Sequence, residues 1–93
     1  MCVKILGTGR SLPDKCLTND DIAKIVDTSD EWIKSRVGIE TRHIAENETT
    51  TSMAADAAKK ALIDAKVNTE DIELIIVASV TGDNAVPATA CQV

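Results

Sequence analysis

The side chains best placed to do chemistry in this sequence are Thr28, Trp32 and Arg36. Successive helical residues turn by about 100°, so a helix opening after Thr28 stands Trp32 and Arg36 one turn apart on one face. That face lies beside the Ile33/Val37 apolar pair rather than on it. An indole at the edge of a buried face, with a guanidinium one turn away, can stack an adenine and meet a phosphate. A solitary Trp is also a common core aromatic, and residue chemistry alone leaves both readings open. Thr28 could equally be a cap or turn residue.

Other reactive residues invite blander readings. Cys91 stands near a helix start, where a thiol can ionise and act as a nucleophile. A small buried core thiol is the preferred reading. His43 is the only histidine, flanked by Arg42 and Ile44, and reads as structural. Gly7-Thr8-Gly9 lacks the third glycine of a dinucleotide fingerprint and precedes no helix start, so a tight bend after a strand is expected. Asp20, Asp21, Asp27, Asp30 and Glu31 read as caps and a solvated face, not as metal ligands. Cys2, Cys16 and Cys91 lack the spacing of a zinc site and the density of a disulfide scaffold, which points to reduced thiols in the cytoplasm.

The totals bound the rest. Ninety-three residues suit one small unit, and 44% hydrophobic with 27% charged residues is ordinary for a globular chain. Trp32 is the only aromatic, so a core must come from Ile, Leu, Val, Met and Ala. A net charge of -5 argues against nucleic-acid binding, which needs cations to neutralise phosphates. No apolar run approaches the ~18 residues of a membrane span, and no signal peptide is evident.

The elements that must position these residues follow from periodicity. Val3–Leu6 reads as a buried strand. Thr18-Asn19-Asp20-Asp21 offers caps for a short helix carrying Ile22, Ile25 and Val26. Thr28-Ser29-Asp30-Glu31 opens a second helix that Gly38 can stop. Residues 39–45 read as extended and 46–50 as loop. From Thr51-Ser52 a long helix is expected, its stripe made of Met53, Ala54, Ala57, Ala58, Ala61, Leu62 and Ala65. Asn68–Asp71 is a turn or a helical turn, and Leu74–Ala78 is a continuous apolar run of the kind found in strands buried on both faces. Together these form a right-handed βαβ unit, hence an α/β class. Residues from Ala85 read as a helix with Pro87 in its first turn and no terminating signal, as if the chain stopped short.

The stretch Asp27-Thr28-Ser29-Asp30-Glu31-Trp32-Ile33, followed by Arg36, Gly38-Ile39 and Arg42-His43-Ile44, resembles the signature of the β-ketoacyl-acyl-carrier-protein synthase III family. Ile5-Leu6-Gly7-Thr8-Gly9, Leu12-Pro13, Thr18-Asn19, Glu48-Thr49 and Pro87 ahead of Ala90-Cys91-Gln92 agree in order and spacing. The resemblance implies the amino-terminal portion of the first half of a thiolase-like fold, part of a five-layered αβαβα architecture, spanning residues 1–93 and ending before the catalytic cysteine. It implies an acyltransferase that condenses acyl-coenzyme A with malonyl-acyl carrier protein to begin fatty acid biosynthesis. The parent would be a cytoplasmic homodimer, using the coenzyme A thioester as substrate and no separate cofactor.

By the same resemblance Trp32 stacks on the adenine of coenzyme A, Arg36 meets its nucleotide end and Thr28 bonds near the base. Catalytic residues are expected to lie beyond Val93. Cys91 is followed by Gln92-Val93 rather than the Ala-Gly that follows the family's nucleophile. Val86 stands where some members carry a bulky aromatic beside the acyl pocket, which would leave room for larger or branched primers. Three rival readings are a related acyltransferase of secondary metabolism, a non-catalytic module that binds coenzyme A or a partner, and a plain structural α/β domain.

Overall fold

The structure, a computed structural model, describes residues 2–93 and divides into two compact units. One unit is Leu12–Asn47; the other joins the residues up to Ser11 to Glu48–Val93.

The Leu12–Asn47 unit is built on a minimal hairpin-like pairing. Strands β1 (Cys16–Thr18) and β2 (Thr41–His43) run antiparallel, with Cys16 opposite His43, Leu17 opposite Arg42 and Thr18 opposite Thr41. Between them come helices α1 (Asn19–Ala23) and α2 (Asp30–Val37). Sequence dictates both starts. Thr18 forms a capping box with Asp21, and the Ser29 hydroxyl accepts from the amide of Trp32. Gly38 ends α2 at φ 71°, a left-handed conformation that only glycine adopts without strain. Periodicity missed β1, a strand too short to show alternation.

The second unit centres on α3 (Thr50–Ala65), opened by Thr49 in a capping box with Ser52. Asp83, distant in sequence, completes that cap: its carboxylate oxygens accept from the amides of Thr50 and Thr51 at 2.9 and 2.8 Å. A single 3₁₀ turn spans Thr69–Asp71, and a short α4 covers Thr89–Gln92. Pro87 precedes the Ala88 cap of α4 instead of lying in its first turn, and the Val86–Pro87 peptide is cis.

The small stripe on α3 performs the role its composition implies. A Cβ built on Gly7 would lie 2.6 Å from the Ala65 amide nitrogen and 2.7 Å from the Ala61 carbonyl. On Gly9 it would strike the Ala57 carbonyl and lie 2.5 Å from the Ala61 amide. The two glycines therefore let the amino-terminal segment lie flush on α3. No turn or bend occurs over residues 7–9, which corrects the sequence reading. The Thr8 amide adds a bond to Asp64 at 3.0 Å.

Val3–Leu6 and Leu74–Ala78, expected as strands, carry no ladder among the described residues. A strand exists only through its neighbour, and neither run has one here. Their side chains stay open: Val3 is 94% exposed and Ile76 82%. No hydrophobic residue is fully buried among the described residues, so the expected aliphatic core is laid out but not closed.

Candidate functional site

Helix α2 carries two of the candidate residues, Trp32 and Arg36. Its eight residues bury none of their side chains fully, so its placement rests on polar contacts more than on packing. Trp32 is 56% exposed, and the Arg36 guanidinium carbon sits 5.3 Å from the indole centroid. That is the i, i+4 cation–π stack which helical geometry demands of these two residues. Arg36 is exposed and makes no hydrogen bond or ion pair among the described residues, so its donors are open to solvent. Thr28 is half-buried on the chain entering α2, one residue before the Ser29 cap.

Behind the exposed face is a polar hub that sequence reasoning missed. Asn19, 1% exposed, donates from Nδ2 to Asp30 Oδ1 and to the Ile39 carbonyl, both at 2.8 Å. Its Oδ1 accepts from Arg42 Nη2 at 2.6 Å, and Arg42 Nη1 reaches the Leu17 carbonyl at 3.3 Å. In the sequence Asn19 reads as a cap candidate and part of a family stretch, not as a hub. Its partners are distant in sequence, and no local pattern announces them. The Asn19 bond, and then the Lys34 ammonium at 3.0 Å, hold the Asp30 carboxyl below its usual range. Asp30 raises Lys34 in turn, with Glu40 assisting at 3.5 Å.

The other candidates resolve differently. His43 lies in β2 with Nδ1 2.6 Å from the Pro13 carbonyl, so that nitrogen carries the proton and the ring serves the local structure. Cys91 is exposed, not buried: α4 has only four residues, and no second layer covers it here. Among the described residues no cluster of three or more His, Cys, Asp or Glu could hold a metal. No helix is long and apolar enough to cross a membrane. Within the other unit, a cavity of 620 Å³ lies between α3 and the two apolar runs, lined by Leu6, Ala61, Leu62, Ala65 and Ile75 among others.

Comparison with known proteins gives a consistent result. No protein-family model matches the chain. The β-ketoacyl-[acyl-carrier-protein] synthase III 1 of Bacillus anthracis is 56% identical across all of this chain, which spans 30% of that protein. The synthase III of Neisseria gonorrhoeae is 59% identical over 94% of the chain, covering 28% of its own length. Among solved structures, 3-oxoacyl-[acyl-carrier-protein] synthase III from Aquifex aeolicus superposes with a TM-score of 0.90 at 55% identity, over 95% of this chain and 29% of that one. The priming β-ketosynthase of the R1128 polyketide pathway superposes at 0.88 with 32% identity, over 95% of this chain and 27% of that one. The α/β class and the thiolase-like fold expected from the sequence therefore stand, the unpaired runs notwithstanding. In sequence and in fold the chain belongs to the β-ketoacyl-[acyl-carrier-protein] synthase III family, and it spans about 30% of the length of the curated relatives it matches.

Proposed function

We propose that the protein carrying this chain condenses acyl-coenzyme A with malonyl-acyl carrier protein, and that α2 forms the nucleotide end of the coenzyme A entrance. The names of the relatives supply the reaction class. The Trp32–Arg36 stack supports the site: a half-open indole offers a face to adenine, and an unpaired guanidinium beside it offers forked donors to phosphate. In a chain of net charge -5, an unpaired cation beside the lone aromatic suits an anionic nucleotide. Thr28 adds a hydroxyl on the approach to α2. All three bind; none is assigned a catalytic step. A cytoplasmic homodimer accords with the soluble substrates and the free cysteines.

Titrating coenzyme A against the fluorescence of the single tryptophan tests the site. Stacking should quench Trp32, and Trp32→Ala should abolish the signal and raise the KM for acyl-coenzyme A in the full-length protein. Undiminished fluorescence at saturating coenzyme A would refute the stacking arrangement. The structural match to a priming polyketide ketosynthase keeps a secondary-metabolic condensation as the second reading. The higher identity to the β-ketoacyl-[acyl-carrier-protein] synthases III favours the first.

A further inference from the structure

We propose that Asn19 is a positioning residue for the coenzyme A entrance, acting through α2 rather than by touching the ligand. The inference rests on reading Trp32 and Arg36 as the nucleotide cradle.

Helix α2 has eight residues and no fully buried side chain, so hydrophobic packing does little to fix its axis. One side chain bonds to both of its ends. Both hydrogens of the Asn19 amide are used on α2, one on its first residue, Asp30, and one on the Ile39 carbonyl just past its Gly38 terminus. The Asn19 backbone amide also donates to the Glu40 carbonyl at 3.3 Å. Arg42, from β2, holds Asn19 Oδ1 and thereby the amide's orientation. The helix is thus gripped at its entry and its exit by a group that is itself 99% removed from solvent.

The consequence is geometric. A ligand stacked on Trp32 and paired with Arg36 needs both side chains at fixed height and angle, and displacements of about 1 Å at such sites cost heavily in binding and turnover. Among the described residues Asn19 is the side chain bonded both to the helix's two ends and to β2. Replacing it takes one bond each from Asp30, the Ile39 carbonyl and Arg42, and α2 then loses its setting without losing its caps.

The test is steady-state kinetics of the full-length protein with acyl-coenzyme A and with the matching acyl-phosphopantetheine, which lacks the adenosine. Asn19→Ala should raise the KM for acyl-coenzyme A about tenfold and leave kcat and the KM for the truncated thioester within about twofold. In the Asn19→Ala/Trp32→Ala double variant the loss should not exceed that of Trp32→Ala alone. If Trp32→Ala raises the KM and Asn19→Ala does not, the positioning role is wrong and the nucleotide site survives. If Trp32→Ala changes nothing, the site reading fails and takes this role with it. Equal losses on both thioesters would show general destabilisation and overturn the proposal. Should Asn19→Ala fail to fold, Asp30→Ala removes the entry half of the grip from a half-buried side chain, and it must show the same split between thioesters or the proposal falls.

Discussion

At the scale of residues, the candidate site is a charged group stacked on an aromatic face, and its energetics can be separated by salt. An exposed cation–π contact contributes about 0.5–1 kcal/mol, whereas a guanidinium meeting phosphate works through charge that counter-ions screen. Arg36→Ala should therefore weaken coenzyme A binding several-fold at low ionic strength, on the order of 1 kcal/mol, with the gap to wild type closing as salt rises. A gap unaffected by salt, measured by calorimetry, would assign Arg36 to stacking alone. The pairing of Trp32 with Arg36 was legible in the sequence because the interval of four residues fixes it once the helix is granted. The hub at Asn19 was not. Its bonds reach 11, 20 and 23 residues along the chain, and only the folded path brings those partners together.

At the scale of elements, caps and small residues were the readable features and strand pairing was not. Thr18, Ser29 and Gly38 end their helices where side-chain chemistry requires, and the alanines of α3 meet Gly7 and Gly9 because nothing larger fits. Gly9→Ala should destabilise the second unit by about 1–3 kcal/mol, since a methyl group would have to displace helix backbone, and thermal melts would register it. A melt unchanged by this methyl would mean that the amino-terminal segment does not hold to α3. Hydrophobic runs announce a strand's burial but not the identity of its neighbour, which is why Val3–Leu6 and Leu74–Ala78 were placed correctly as apolar runs and wrongly as ladders.

Acid should also find the weak point of α3. The Thr51 hydroxyl and amide, with the Thr50 amide, hold the Asp83 carboxyl below its ordinary 3.8. A carboxylate depressed in the folded state contributes stability that is complete above the unfolded value and lost as pH falls through the lower folded one. Helical content followed by circular dichroism should thus hold down to about pH 4 and fall below it. Asp83→Asn should start less stable at neutral pH and show a shallower acid decline. An identical decline in both proteins would place the acid sensitivity elsewhere.

At the scale of the whole molecule, the described residues expose long apolar side chains along both unpaired runs and around a 620 Å³ cavity. Such surface seeks cover, and open strand edges seek partners. The 93-residue chain on its own should therefore associate or melt without cooperativity. A monodisperse monomer with a sharp transition in sedimentation and calorimetry would contradict this. The family and layer type were readable across the full length because short signature stretches recur throughout it. How completely the layers close was not, since closure depends on surfaces outside any one segment. The reach of Asp83 to the amides of Thr50 and Thr51 carries a further consequence for biosynthesis. The first turn of α3 leaves the ribosome 32 residues ahead of the carboxylate that completes its cap, so on the growing polypeptide the local capping box must hold this end while the amides of Thr50 and Thr51 wait for translation to deliver the later loop.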